Sequence, residues 1–227
     1  MIANTSYMLS IDTVGHYCGI ALSNAQDGAL IMKHVLKESN MHDAMLAELI
    51  RIALIDHAIA PSDISAIAVS AGPGSFTGLR IGMSFAKGWC ADGKTSLISV
   101  PTFDAMIHAL KNKNHNLRHQ TLCMAKLSHG DQWFIQTFDA KSGGKKNDIS
   151  IVSSSTLDMY IDDDTIVIGD YKLDQQDVIY AEFNNSDPEF IAQLGYIMLQ
   201  RGETISPITA DSAYHAAFIP TIQENRS

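Results

Sequence analysis

Apolar and polar positions alternate with two different periods along the chain. Residues 6–12 (SYMLSID), 16–23 (HYCGIALS) and 29–36 (ALIMKHVL) read as three strands, separated by a turn at 13–15 and a hairpin signal at Gln26-Asp27-Gly28. Turns this short predict an antiparallel meander. From Asp43 to Ile59 the period changes. Met45, Leu46, Leu49, Ile50, Ala53 and Leu54 recur at three-and-four spacing, which predicts an amphipathic helix with Asn40 as its cap and Pro61 just past its end. The β-branched run 64–70 (ISAIAVS) reads as a central parallel strand. A glycine-rich loop follows at 72–78, then a helix from about Phe76 to Cys90, and a fifth strand at 96–100. A meander and a crossover in one sheet predict a ribonuclease-H-like α/β fold.

The second half repeats parts of this order. A helix at 102–110 leads into the polar loop KNKNHNLRHQ, and strands follow at 121–127 and 132–138. Residues 141–148 read as a flexible turn, 154–161 as a short helix, and 165–169 (TIVIG) as a strand. The last helix, 187–201, places Phe190, Leu194, Ile197 and Met198 on one face, with Pro188 in its first turn. A boundary near Pro101 gives two lobes, 1–101 and 102–227, each a mixed sheet flanked by helices, and the last helix can return to pack on the first lobe.

Composition narrows the class. With 46% hydrophobic and 18% charged residues the chain is globular, and no segment approaches the ~18 apolar residues of a membrane helix. Met1 to Tyr7 does not resemble a secretion signal, so a cytoplasmic location without membrane contact is expected. Cys18, Cys90 and Cys123 are odd in number and far apart, as expected of buried reduced thiols. The net charge of -9 is uneven: residues 1–149 carry 13 Lys/Arg and 12 Asp/Glu, whereas residues 150–227 carry 3 and 13. Such acidity repels phosphate backbones, so strong binding of RNA by this chain alone is not expected.

The most informative stretch joins the fourth strand to the second helix: Ser70-Ala-Gly-Pro-Gly-Ser-Phe-Thr-Gly-Leu-Arg80. Glycine lets backbone approach a ligand, and amides at a helix start favour an anion. Gly72, Gly74, Ser75, Thr77 and Gly78 are therefore candidate nucleotide- or anion-binding residues. The bland alternative is a tight strand-to-helix connection capped by Ser75 or Thr77, with Asp12 capping its own turn. Generic motifs fail on spacing. Gly78 is followed by Leu79-Arg80 and not by Lys-Ser/Thr, position 77 is not glycine, and the residue midway between Gly74 and Gly78 is Phe76.

The run GPGSFTGLRIG at 72–82, followed by Ala86-Lys87-Gly88, resembles the signature of the TsaB (YeaZ) family. Leu9-Ser-Ile-Asp-Thr13, Gly19-Ile-Ala-Leu22, His42 at the first helix and Val100-Pro-Thr-Phe-Asp-Ala105 fit the same pattern, so the resemblance covers about residues 6–110. It implies an actin-like ATPase, duplicated ribonuclease-H fold, in whose active members an Asp and a neighbouring hydroxyl at the end of the first strand, here Asp12 and Thr13, serve magnesium and phosphate, so these two join the candidate nucleotide- or anion-binding residues. It implies a non-catalytic scaffold for the related TsaD-type subunit, which forms N6-threonylcarbamoyladenosine on tRNA. A TsaE-type ATPase joins that complex, and tRNA is met only through it. The resemblance places the partner contact, or a homodimer, on the two first-lobe helices: Met41, His42, Met45, Leu49, Thr77, Arg80, Ile81, Ser84 and Phe85. Arg80 and Lys87 would lie near the rim or the anion loop.

The catalytic relative holds its metal with His-x-x-x-His after the fifth strand. Counting from Val100, this chain has Thr102 and Met106 there, so no metal ligands are expected. No cofactor is expected of the chain itself, and the resemblance leaves room for ATP or ADP in the complex. His115 and His119 have ligand spacing but sit in a polar loop and read as solvated. The family's Asp-Ala-Arg becomes Lys126-Leu127-Ser128, and its Tyr-Leu-Arg becomes Tyr214-His215-Ala216. Two other functions remain open: an independent kinase or ATPase, which needs Asp12 and a second carboxylate, and a peptidase, for which no Ser/His/Asp order or HExxH is present.

Overall fold

The computed structural model describes residues 6–15, 17–36, 42–113, 120–171 and 183–210. Asn40, Met41, His115, His119 and Tyr214-His215-Ala216 lie outside them, as does the side chain of His42.

Strands β1 (Tyr7–Asp12), β2 (Cys18–Asn24) and β3 (Leu30–Leu36) form the antiparallel meander. Helix α1 (His42–Asp56) leads to β4 (Ile64–Ser70), which pairs parallel with β1. Helix α2 (Phe76–Trp89) leads to β5 (Ser96–Val100), parallel to β4. The sheet order is β3-β2-β1-β4-β5, the arrangement expected of a ribonuclease-H-like lobe.

The period-two alternation of these strands sorts two cores. Leu9, Ile11, Ile20, Leu22, Ile67 and Val69 face α1 and α2, meeting Leu46, Ile50, Leu54 and Met83. Met8, Ala21, Ala66, Ala68 and Val100 belong to a second cluster with α3 (Thr102–Asn112) and α5 (Pro188–Gln200). That cluster continues through Phe103 and Met106 to Leu122, Met124, Phe134, Phe138, Ile166 and Ile168 of the second sheet. One core thus runs through both lobes. Gly195 makes the seating of α5 close: a Cβ there would lie 2.6 Å from the Ala68 Cβ. At the other end of the interface Lys33 of β3 pairs with Asp187 at 3.0 Å and Glu189 at 2.9 Å.

The second sheet has the order β8-β7-β6-β9. β6 (Thr121–His129) and β7 (Gln132–Asp139) form a hairpin, and β9 (Thr165–Gly169) runs parallel to β6, so β6-β7-β9 repeats the geometry of β1-β2-β4. β8 (Ser150–Ser153) was not foreseen: its Ser-Ile-Val-Ser is too short to show alternation, and only pairing to β7 identifies it. The helix expected over 154–161 is a single α-turn, α4 (Ser154–Leu157), followed by a 3-10 turn over Asp158–Tyr160. Beyond α5, Ile205 bridges to Leu97 of β5 and Ala210 is buried in the α1/α2 core. All three cysteines are free and buried, and burial pushes the Cys18 and Cys90 thiols up to about 11 and that of Cys123 to about 12.

Candidate functional site

The glycine loop lies against the turn that follows β1. Gly72 has φ +99°, and its N–H donates to Thr102 Oγ1 at 3.1 Å while the Thr102 N–H returns to its carbonyl at 2.8 Å. Ser75 caps α2, its Oγ accepting from the Gly78 N–H at 3.2 Å, and its own N–H donates to the Val14 carbonyl at 2.9 Å. The Thr13 hydroxyl donates to the Gly78 carbonyl at 2.7 Å. A Cβ at Gly78 would overlap the Thr13 carbonyl oxygen, and one at Gly74 would lie 2.7 Å from Val14. The close approach that these glycines permit is therefore made by the chain's own Thr13-Val14 segment. Among the loop residues Ser75 and Thr77 are exposed, whereas Gly72, Gly74, Gly78 and Thr13 are buried.

Asp12 is only 4% exposed. Its Oδ1 accepts from the Val14 N–H at 3.3 Å, the Asp-turn bond of the bland reading. Burial pushes its carboxyl above the usual carboxylate range, opposed by the hydroxyls of Ser186 and Ser70, the Val14 amide and the charge of Lys126. Ser186 Oγ is itself buried and makes no hydrogen bond of good geometry, so its contribution is proximity more than a formed bond. Asp12 is thus walled in and not presented to solvent.

Thr102 and Met106 have other work than holding an ion. Thr102 ties the glycine loop to α3, and Met106 is 2% exposed in the shared core. Among the described residues no cluster of three His, Cys, Asp or Glu has the arrangement to hold a metal.

The outer side of α2 carries exposed Thr77, Arg80 and Ser84 with half-buried Ile81 and Phe85. Arg80 stacks on the Phe76 ring with its guanidinium carbon 3.7 Å from the centroid, and Phe85 packs tilted on Trp89 at 5.8 Å. On α1 Met45 is half-buried. Two expectations are corrected. Leu49, 7% exposed, belongs to the core stripe with Leu46 and Ile50 and does not face outward. Lys87 does not serve an anion loop: its ammonium donates to the Ala210 carbonyl at 2.7 Å. Sequence reasoning missed Ile52 and Ile55, 42% and 62% exposed on α1; their signal is a second apolar stripe offset from the core one. It also saw Lys126 only as a departure from a motif, and gave no role to Asp170 or Ser186.

The family model "TsaD: tRNA N6-adenosine threonylcarbamoyltransferase" matches residues 37–125. The chain is 27% identical over 166 residues to the tRNA threonylcarbamoyladenosine biosynthesis protein TsaB of Bacillus subtilis, covering 72% of this chain and 63% of that one. It is 33% identical over 107 residues to TsaB of Escherichia coli, covering 47% and 45%. Together these support the TsaB (YeaZ) family. The chain spans less than two thirds of the length of these curated relatives. The fold agrees: YeaZ from Pseudomonas aeruginosa, 18% identical, superposes with TM-score 0.67 over 92% of this chain and 99% of its own. A second Pseudomonas aeruginosa structure, described as similar to peptidase YEAZ and 20% identical, gives 0.70 over the same shares. The ribonuclease-H-like architecture is thus shared with these two structures. The residues matched by the family model include the glycine loop and both first-lobe helices. Among the described residues no helix is long and apolar enough to cross a membrane.

Proposed function

We propose that this chain is a non-catalytic subunit that supports a TsaD-type threonylcarbamoyltransferase in forming N6-threonylcarbamoyladenosine on tRNA. The observation that carries the reading is the contrast within α2. Its start is sealed against Thr13 and Val14, while its outer side leaves Thr77, Arg80 and Ser84 exposed beside Ile81 and Phe85. A helix held this firmly on one side is a rigid docking element on the other. The catalytic relative, or a second copy of this chain, meets that face together with Met45, Ile52 and Ile55 of α1. A TsaE-type ATPase joins the assembly in the cytoplasm, any ATP or ADP is held by the complex, and tRNA is reached through the partner. The acidic last third fits a chain that leaves the phosphate backbone to others.

An independent kinase or ATPase would need the Asp12 carboxylate open to a metal and a phosphate; its burial and its bond to Val14 count against that. The test is co-purification with the TsaD from the same cell, coupled to nucleoside analysis of tRNA after depletion of this protein. A stable pair and a fall in threonylcarbamoyladenosine are expected. Unchanged nucleoside levels would remove the proposal, and ATP turnover by the isolated chain that Asp12→Ala abolishes would replace it with the kinase reading.

A further inference from the structure

Lys126 is 5% exposed, a burial that lysine accepts only with partners. It stands in β6 one residue beyond Ala125, the last residue registered with β9, just as Asp12 stands one beyond Ile11, the last registered with β4. The two sheets thus present Asp12 and Lys126 from corresponding positions. Asp170, the residue after β9, lies 3.6 Å from the Lys126 ammonium through Oδ2, and the same oxygen accepts the Leu127 N–H at 3.2 Å. From the other lobe the charge of Lys126 also reaches Asp12, beyond ion-pair distance and as the least of the influences on that carboxyl. The hydroxyls of Ser70 and Ser186 complete an oxygen-rich surround. Two carboxyls and two hydroxyls are the donor set that attracts a hard cation. Here a side chain brings the positive charge.

We propose that the Lys126 ammonium is an internal cation shared by Asp12 of the first sheet and Asp170 of the second, fastening the lobes at the head of their cleft and filling the place a soluble cation would take. Lys126 is then a positioning residue, and its effect passes through charge. A side chain that merely filled space would be replaced by methionine at little cost. An ammonium that offsets a buried carboxyl would not. Its removal raises the Asp12 pKa further, because burial is then less opposed. The folded state then holds its proton to higher pH than the unfolded state. Stability of Lys126→Met relative to the native chain must therefore fall once pH passes the native folded value of Asp12, which already lies above the ordinary 3.8. The other titratable groups facing Asp12 are Cys18, whose thiol stays protonated throughout this range, and Asp170, reached through Lys126.

The experiment is a double-mutant cycle in thermal unfolding of the full chain at pH 4.5 and 7.5, with Lys126→Met, Asp12→Asn and the double variant. The expected result is a lower melting temperature for Lys126→Met, more so at pH 7.5, with most of that pH-dependent loss absent in the Asp12→Asn background. Additive effects, or an equal loss at both pH values, would overturn the proposal. If Lys126→Met does not fold, the double variant decides: recovery of folding supports the shared cation, and failure to recover rejects it. Millimolar Mn²⁺ should leave the native chain's melting temperature where it leaves that of Asp12→Asn. A Mn²⁺ stabilisation of the native chain that Asp12→Asn removes would show a vacant ion site and reject the proposal.

Discussion

The two faces of the first sheet are covered in opposite ways. One face carries branched aliphatics, Leu9, Ile11, Ile20, Leu22, Ile67 and Val69, under two helices from the same lobe whose outer sides remain open. The other carries small residues, Ala21, Ala66 and Ala68, against a helix that arrives from the far end of the chain and sits almost on the backbone. Large residues hold α1 and α2 at ordinary distance by area alone. Small ones require a close fit, and that fit welds the second lobe to the first. The sheet thus has one face for assembly within the chain and one backed by helices that are free to meet another molecule.

The comparison breaks most visibly at Gly195. Leucine there meets Ala68, Val100 and Met8 and should cost about 3 kcal/mol in chemical denaturation, with loss of both lobes in one transition. If the first lobe keeps its own transition, the faces are not coupled as described. On the open side Ser84→Arg should leave stability within about 0.5 kcal/mol and weaken binding to the proposed TsaD-type partner by about 2 kcal/mol, roughly thirty-fold in titration calorimetry. Unchanged affinity would move the contact off α2.

Asp12 sharpens the contrast at the end where the faces meet. Its carboxyl is raised by burial, so the stability it contributes is present in full below 3.8 and is lost as pH rises through its folded value. Asp12→Asn should therefore gain on the native chain as pH rises from 3.5 to 7, a sign readable from urea midpoints. The smallest effect is expected at Lys33. Its two carboxylate partners are part-exposed, so Lys33→Met should cost about 1 kcal/mol or less, shrinking further in 0.5 M salt.

Much of this was legible in the sequence where local pattern decides. β1 to β5 and both first-lobe helices follow from alternation, three-and-four spacing and glycine punctuation, each to within two residues except the first helix's C-terminal end, three residues short. The glycine loop was legible as a place of close approach, but not what approaches: only the folded chain brings Thr13 and Val14 onto Gly74 and Gly78. Leu49 was ambiguous because the core stripe of α1 and the stripe of Ile52 and Ile55 overlap in sequence. β8 has four residues and no period of its own, so pairing created it. Lys126 could not be paired with Asp170 because a contact 44 positions away leaves no local mark.

The placement of α5 sets an order of events at synthesis. β1 to β5 are complete at residue 100, yet the cover for one of their faces begins at residue 188. At a ribosomal pace of about 5–20 residues per second, the remaining stretch of about 90 residues takes roughly 5–18 s. For that interval Met8, Ile98 and Val100 lack the helix that will shield them. Newborn chains therefore pass through a stage at which a chaperone has an apolar sheet to hold, and release must wait for α5 to emerge.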